Sequence, residues 1–288
     1  MSPATLIGFT AVLMWALLAL FTAASGAVPP FQLNAMAFTV ATAIGLIFWQ
    51  RQPGRWAMLR QPWPVWLLGI GGLFGYHFFY FTALRNAPPV EAGLIAYLWP
   101  LLIVLFSALL PGEHLKPRHV IGAVLGLFGA ALIVTGGQGI SFNAEYGFGY
   151  LMALVCAFTW SGYSVLSRGF KSVPTPIVTF FCMATAFLSL GCHLALEETV
   201  MPADTMQWLA VLGLGLGPVG LAFFVWDHGV KHGDIQLLGT SAYAAPLLST
   251  LILMATGFAP FTWTVLAAAL LITIGAGFAA GRPARRKK

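Results

Sequence analysis

The chain has 288 residues, of which 59% are hydrophobic and only 8% are charged, and its formal net charge is +6. A typical soluble domain carries about 25% charged residues, so a soluble globule of this composition would have too little polar surface to face water. The basic residues lie between apolar runs and at the C-terminus, which is typical of membrane-span flanks and excludes a nucleic-acid-binding protein.

Ten apolar segments follow one another along the chain, and each approaches the roughly 20 residues that a membrane-spanning helix needs. Proline pairs and short polar stretches separate them, as at Pro29-Pro30 and Pro88-Pro89. Every connection is short, which excludes a soluble catalytic or receptor domain. The predicted spans are 4–24, 31–50, 64–84, 90–110, 119–137, 147–167, 175–196, 206–230, 235–256 and 260–281.

The distribution of basic residues predicts the orientation in the membrane. With ten spans, both termini and the loops after even-numbered spans share one face, which carries 13 of the 14 Lys and Arg residues; the other face carries only Arg85. Because cytoplasmic loops are enriched in Lys and Arg, both termini are predicted to be cytoplasmic, with the tail Arg285–Lys288 as a basic anchor. The expected location is a bacterial inner (plasma) membrane, as a multi-pass protein.

The second half of the chain repeats the first. Residues 93–102 and 239–248 both read G-x-x-A-Y-x-x-P-L-L, and at nearly the same offset Trp15 matches Trp160. A repeat of five helices crosses the membrane an odd number of times, so the second copy enters from the opposite side. Inverted repeats of this kind surround a midplane site in many secondary transporters. The predicted units are residues 1–143 and 144–288.

Three features carry a family resemblance: the two five-helix halves, a Trp early in the first helix of each half, and the stretch ALRNAPPVEAG at residues 83–93. They resemble the EamA branch of the drug/metabolite transporter superfamily. The pair Gly112-Glu113 also fits, whereas the second half has Phe258-Ala259 at the matching place. Within the branch, the aromatic-rich central helices are most similar to exporters of aromatic amino acids. The resemblance implies an all-α basket of ten helices around a central cavity, and efflux from the cytoplasm.

Polar and aromatic side chains within the spans are the candidate substrate contacts. Polar groups at membrane depth tend to face the bundle interior, and aromatic rings can stack on a substrate ring or hold an ammonium group. Interhelical hydrogen bonding, helix packing and lipid contact are the alternative roles for the same residues. The candidates are Trp15, Tyr76, His77, Tyr80, Tyr97, Trp99, Trp160, Tyr163, Ser164, Ser241 and Tyr243, with Pro100 and Pro246 as helix kinks.

Three charged or titratable residues near the end of the eighth span form a separate group. Asp227, His228 and Lys231 share one helix face and lie near the predicted cytoplasmic boundary. The group is either a salt-bridged gate or an ordinary helix end.

The sequence therefore predicts an exporter of amino acids, aromatic ones first, and related metabolites that works by alternating access through the cavity. A broad-specificity drug or cation exporter is the alternative. An intramembrane enzyme is a remote third, because the sequence has no HExxH, GxSxG or acidic metal cluster. The expected partners are a small-molecule substrate and the lipid bilayer, with no nucleic acid, metal or cofactor, and the expected unit is a monomer.

Overall fold

A computed structural model describes residues 1–255 and 261–280 of the chain. Within them, ten helices are long and apolar enough to cross a membrane, which confirms the predicted all-α fold of ten spans. The predicted basic tail and Phe258-Ala259 lie outside the described residues. The helices are α1 Pro3–Ala24, α2 Pro30–Gln50, α3 Trp63–Asn86, α4 Pro89–Leu109, α5 Pro117–Thr135, α6 Ala144–Phe170, α7 Thr175–Leu196, α8 Thr205–His232, α9 Ile235–Ala255 and α10 Trp263–Ala280.

Prolines and acidic caps set where the helices begin. Pro30, Pro89 and Pro117 each open a helix, because the first turn does not use the N–H that proline lacks. Helix α5 therefore starts at Pro117, ahead of the predicted residue 119. Asp204 and Asp234 cap α8 and α9, since their carboxylates accept the backbone N–H three residues later, at 2.9 and 3.0 Å.

The helices pack across the two halves of the chain. Four pairs are mutual main partners, α1 with α8, α2 with α7, α3 with α6, and α5 with α10, whereas α4 packs mainly on α6 and also contacts α9. Glycines allow two of these pairs to approach closely. A Cβ on Gly229 would lie 2.5 Å from the Cα of Gly8 across the α1–α8 contact, and one on Gly122 would lie 2.5 Å from the Gly275 carbonyl across α5–α10.

Four of the ten helices are irregular near their middle. Helix α4 breaks between its parts Pro89–Ala96 and Trp99–Phe106, and α9 breaks between Ile235–Ser241 and Ala244–Ala255. Both breaks precede the predicted kink prolines, because a proline ring displaces the carbonyl four residues earlier. Helix α1 breaks after Trp15, and α8 contains a π-helical turn at Gly217–Leu221.

Candidate functional site

Four tryptophans from four different helices meet at the centre of the bundle. Trp15, Trp99, Trp160 and Trp226 come from α1, α4, α6 and α8, and all six pairs of rings have centroids 5.0–6.4 Å apart. The first three are among the sequence-predicted candidates, whereas Trp226 is not. We call these four residues the tryptophan cluster.

Two hydrogen bonds fix the orientation of the cluster. The Trp15 Nε1–H donates to the carbonyl of Pro218 in the π-helical turn of α8, at 3.1 Å. The Trp226 Nε1–H donates to Ser164 Oγ on α6, at 3.0 Å. Ser164 is fully buried, so in this conformation it positions Trp226.

A wall of tyrosines and one histidine lies on one side of the cluster. The parallel rings of Tyr76 and Tyr80 stack at 6.1 Å, and Tyr76 also contacts Trp160 at 5.4 Å. Tyr97 on α4 faces the same two tyrosines. The side chain of His77 contacts Phe223 on α8 and bonds through Nδ1 to the Leu73 carbonyl at 2.7 Å, which leaves Nε2 available.

These wall residues remain partly accessible although their neighbours come from several helices. Tyr76, His77, Tyr80 and Tyr97 are all of intermediate exposure. The structure thus brings together four predicted candidates in one partly accessible surface of aromatic rings and hydroxyl groups. Such a surface suits a ligand with an aromatic ring and a few polar groups.

The other side of the tryptophan cluster is packed shut. Tyr163, Asp227 and Lys231 are at most 3% exposed. The Lys231 ammonium lies 2.9 Å from the Asp227 carboxylate and donates to the Val173 carbonyl at 3.1 Å. The Thr175 hydroxyl also donates to Asp227, at 2.7 Å. We call this the closed end of the bundle. It is the end that the basic residues predict to be cytoplasmic.

A second ion pair, which the sequence did not indicate as a functional element, also joins helices at the closed end. The Arg168 guanidinium at the end of α6 pairs with Glu113 and donates to the carbonyls of Val230 and Gly233, at 2.9 and 2.8 Å. Arg168 therefore ties α6 to the end of α8 and to the loop between α4 and α5.

A buried carboxylate organises the opposite end of the bundle. Glu197 pairs with Arg85 and with His193, and it accepts the backbone N–H groups of Phe31 and Gln32 at the start of α2, at 3.0 and 3.1 Å. An anion at a helix N-terminus is favourable. Glu197 was not a sequence-predicted candidate, and it fixes α2, α3 and α7 to one another.

Three other predicted candidates have different surroundings. Tyr243 is fully buried beside Gly126, and its hydroxyl accepts the backbone N–H of Leu101 at 3.1 Å. In this conformation it caps the second part of α4. Ser241 is buried on α9. His228 lies beside His232 and outside the Asp227–Lys231 ion pair.

Comparison with known proteins places this arrangement among membrane transporters. The model of the EamA-like transporter family matches residues 2–135 and 147–280. The aromatic amino acid exporter YddG of Ancylobacter novellus is 56% identical over 96% of this chain and 97% of its own. The exporter of the same name from Salmonella typhimurium is 26% identical over 94% of both chains. A solved crystal structure, 56% identical, superposes with a TM-score of 0.92 over 97% of this chain and 98% of its own.

Proposed function

Because the chain belongs to the EamA-like transporter family and is a multi-pass integral membrane protein, we propose that it exports aromatic amino acids across a bacterial inner membrane. The observation that carries the proposal is the accessible aromatic wall beside the tryptophan cluster. The substrate class comes from the relatives that are named as exporters of aromatic amino acids.

The wall offers suitable contacts for such a substrate. Tyr76, Tyr80 and Trp160 present ring faces and edges on which a substrate ring can stack. An ammonium group over an aromatic face gains roughly 0.5–2 kcal/mol, so the same wall holds the charged part of the molecule. The hydroxyls of Tyr76, Tyr80 and Tyr97 can donate hydrogen bonds to the substrate carboxylate. The Nδ1–H of His77 donates to the Leu73 carbonyl, so its free Nε2 can accept a hydrogen bond from the substrate ammonium.

Transport in this proposal proceeds by alternating access between two five-helix units, residues 1–143 and 144–288. The helix packing supports it. An exchange of the two units turns the α1–α8 contact into the α6–α3 contact and the α4–α6 contact into the α9–α1 contact, and it leaves α2–α7, α4–α9 and α5–α10 in contact as before. With cytoplasmic termini, the closed end faces the cytoplasm and the accessible wall faces outward. The described conformation is then the outward-facing one, from which substrate leaves.

The test is efflux of radiolabelled phenylalanine and tryptophan from preloaded proteoliposomes, with and without an imposed pH gradient. Efflux that exceeds protein-free liposomes under both conditions is the expected result for a facilitated exporter. Trp160→Ala is expected to abolish it, whereas Trp63→Ala, which alters an exposed tryptophan at the start of α3, is the control. Absence of efflux of both amino acids from correctly folded protein would refute the proposal.

A broad drug or cation exporter is the second candidate, since aromatic walls also hold lipophilic cations. Efflux of tetraphenylphosphonium distinguishes the two. If the protein is an amino-acid exporter, this cation leaves proteoliposomes as slowly as it leaves protein-free liposomes. If the protein is a cation exporter, the cation leaves proteoliposomes faster. An enzymatic role is not proposed, because the matching family and the relatives described above are named as transporters or exporters.

A further inference from the structure

A small cavity of about 10 Å³, which has room for roughly one water molecule, lies at the closed end between α3, α6, α7 and α8. Its apolar wall includes Val65 and Phe181, and its polar wall carries Tyr163, Asp227 and Lys231. The cavity is separate from the accessible aromatic wall, because it lies on the other side of the tryptophan cluster. Nothing described so far assigns it a ligand.

The Tyr163 hydroxyl makes no close hydrogen bond in this conformation. It is buried and has no hydrogen-bond partner within bonding distance among the described residues, although Asp227 and Ser167 are its polar neighbours. A buried hydroxyl without a partner is destabilising. A function in another conformation would explain why the fold keeps it.

The ion pair beside this hydroxyl matches the polar part of an amino acid. Asp227 and Lys231 present a negative and a positive group 2.9 Å apart at the wall of the cavity. A free α-amino acid carries an ammonium and a carboxylate on the same carbon atom, so it offers the same two charges at a similar separation. A simple amine or a simple carboxylic acid would leave one of the two protein charges unpaired, which is costly in a buried site.

We propose that Asp227, Lys231 and the Tyr163 hydroxyl form a capture site for the zwitterionic end of an amino acid that enters from the cytoplasm. The substrate ammonium binds Asp227, and the substrate carboxylate binds Lys231 and Tyr163. In the cytoplasm-open conformation, in which the cavity must be wider, the substrate side chain lies against the apolar wall. This site rests on the proposed export of amino acids and adds a binding step before the substrate reaches the aromatic wall.

Capture at this site would also open the closed end. In the closed conformation, Lys231 donates to the Val173 carbonyl and Thr175 donates to Asp227, so both bonds hold the start of α7 against α8. A substrate that takes over both charges replaces these bonds. It therefore binds the cytoplasm-open conformation more tightly than the closed one, and this difference in affinity shifts the population between them.

The experiment measures initial uptake of radiolabelled phenylalanine into inside-out membrane vesicles, whose outer surface is the cytoplasmic face. The first variant is Tyr163→Phe, which removes a hydroxyl that makes no bond in the closed conformation and so should fold normally. Its KM is expected to rise at least about 10-fold, as for one lost hydrogen bond to a charged group, while its maximal rate stays within about 2-fold. The matched control is Tyr146→Phe at the opposite end of α6.

A second variant separates capture from simple closure. The exchange Asp227→Lys with Lys231→Asp keeps an ion pair at the same two positions and reverses its direction. We expect a KM at least about 10-fold higher, together with a loss of the parent's preference for phenylalanine over phenethylamine and 3-phenylpropionate. A purely structural pair predicts recovery of parental KM and preference.

The outcomes are distinct. If the parent moves no aromatic amino acid, the proposed function fails. If the parent transports phenylalanine but Tyr163→Phe and the reversed pair keep the parental KM and preference, or change only the maximal rate, the capture site is refuted while the proposed function stands. A raised KM with lost discrimination supports the capture site.

Discussion

Tyr97 and Tyr243 occupy matching positions in the two halves of the sequence, yet their side chains have different surroundings. Tyr97 is partly accessible and makes no hydrogen bond to another described residue, whereas Tyr243 is buried and accepts the Leu101 N–H. Their shared motif predicted a shared role, but the structure places the two side chains in different environments. Removing each hydroxyl should therefore have a different effect.

We predict that Tyr243→Phe destabilises the protein and that Tyr97→Phe does not. The first change leaves a buried N–H without a partner, which costs ~1–2 kcal/mol and lowers the Tm by about 3–6 °C for a chain of this size. Thermal unfolding in detergent measures both variants. Tyr97→Phe should instead raise the KM for substrate, and equal Tm values for the two variants would contradict this assignment.

Glu197 has a structural role that its neighbour lacks. The change Glu197→Gln removes a charge that pairs with Arg85 and His193 and caps α2. We expect a loss of ~2 kcal/mol in the free energy of unfolding, seen as a Tm lower by roughly 4–8 °C. Glu198→Gln alters the adjacent exposed carboxylate and is the control. If the Tm of Glu197→Gln lay within about one degree of the Tm of the control, the contacts of Glu197 would not stabilise the protein.

At the scale of the helix, the irregular turns are distributed unevenly. The packed partners α1 and α8 are both interrupted, and so are α4 and α9, whereas α3 runs continuously from Trp63 to Asn86 and α6 from Gly147 to Ser167. The interrupted helices carry Trp15, Trp99 and Trp226. Trp15 and Trp99 lie directly beside a helix break, whereas Trp226 lies in the regular helical segment that follows the π-helical turn.

We predict that Pro100→Ala slows transport without unfolding the protein. Alanine restores the missing N–H and removes the ring that displaces the preceding turn, so α4 straightens and Trp99 leaves its position in the cluster. The maximal rate of efflux should fall about 10-fold while the Tm stays equal or rises. Pro117→Ala, at the first position of α5, is the control because proline there disturbs no bond. Parental rates in Pro100→Ala would disprove a role for the break.

The helices and two of the four breaks were predictable from the sequence, because their signals are local. Apolar length and helix-opening prolines are local signals, and Pro100 and Pro246 mark the breaks in α4 and α9. The break in α1 has no proline or glycine at Ala16-Leu17, so it arises from packing against other helices. Trp226 and Glu197 were missed because their partners, Ser164 and the start of α2, are far away along the chain.

On the scale of the whole molecule, both ends of the bundle are held by ion pairs. The closed end has Asp227–Lys231 and Arg168–Glu113, and the opposite end has the Arg85–Glu197 pair with His193. Arg85 and Lys231 are matching positions in the two halves of the sequence. One repeated basic residue thus serves an ion pair at each end of the protein.

We predict that, in this conformation, a cysteine at the aromatic wall is labelled by a thiol reagent and a cysteine at the closed end is not. In a background with Cys156, Cys182 and Cys192 replaced by serine or alanine, Tyr80→Cys should react with a membrane-impermeant maleimide added to intact cells. Ser167→Cys, which is buried at the closed end, should not react. Excess phenylalanine should slow labelling at residue 80. The reverse pattern, with residue 167 labelled and residue 80 protected, would contradict the outward-facing assignment.

The tryptophan cluster also has an optical consequence. Four indoles with centroids within 6.4 Å of one another are close enough for their excited states to couple, so their circular dichroism should differ from that of isolated tryptophans. They come from four helices, and any motion that separates those helices changes the coupling. The protein therefore contains its own spectroscopic reporter, by which turnover can be followed without an attached dye.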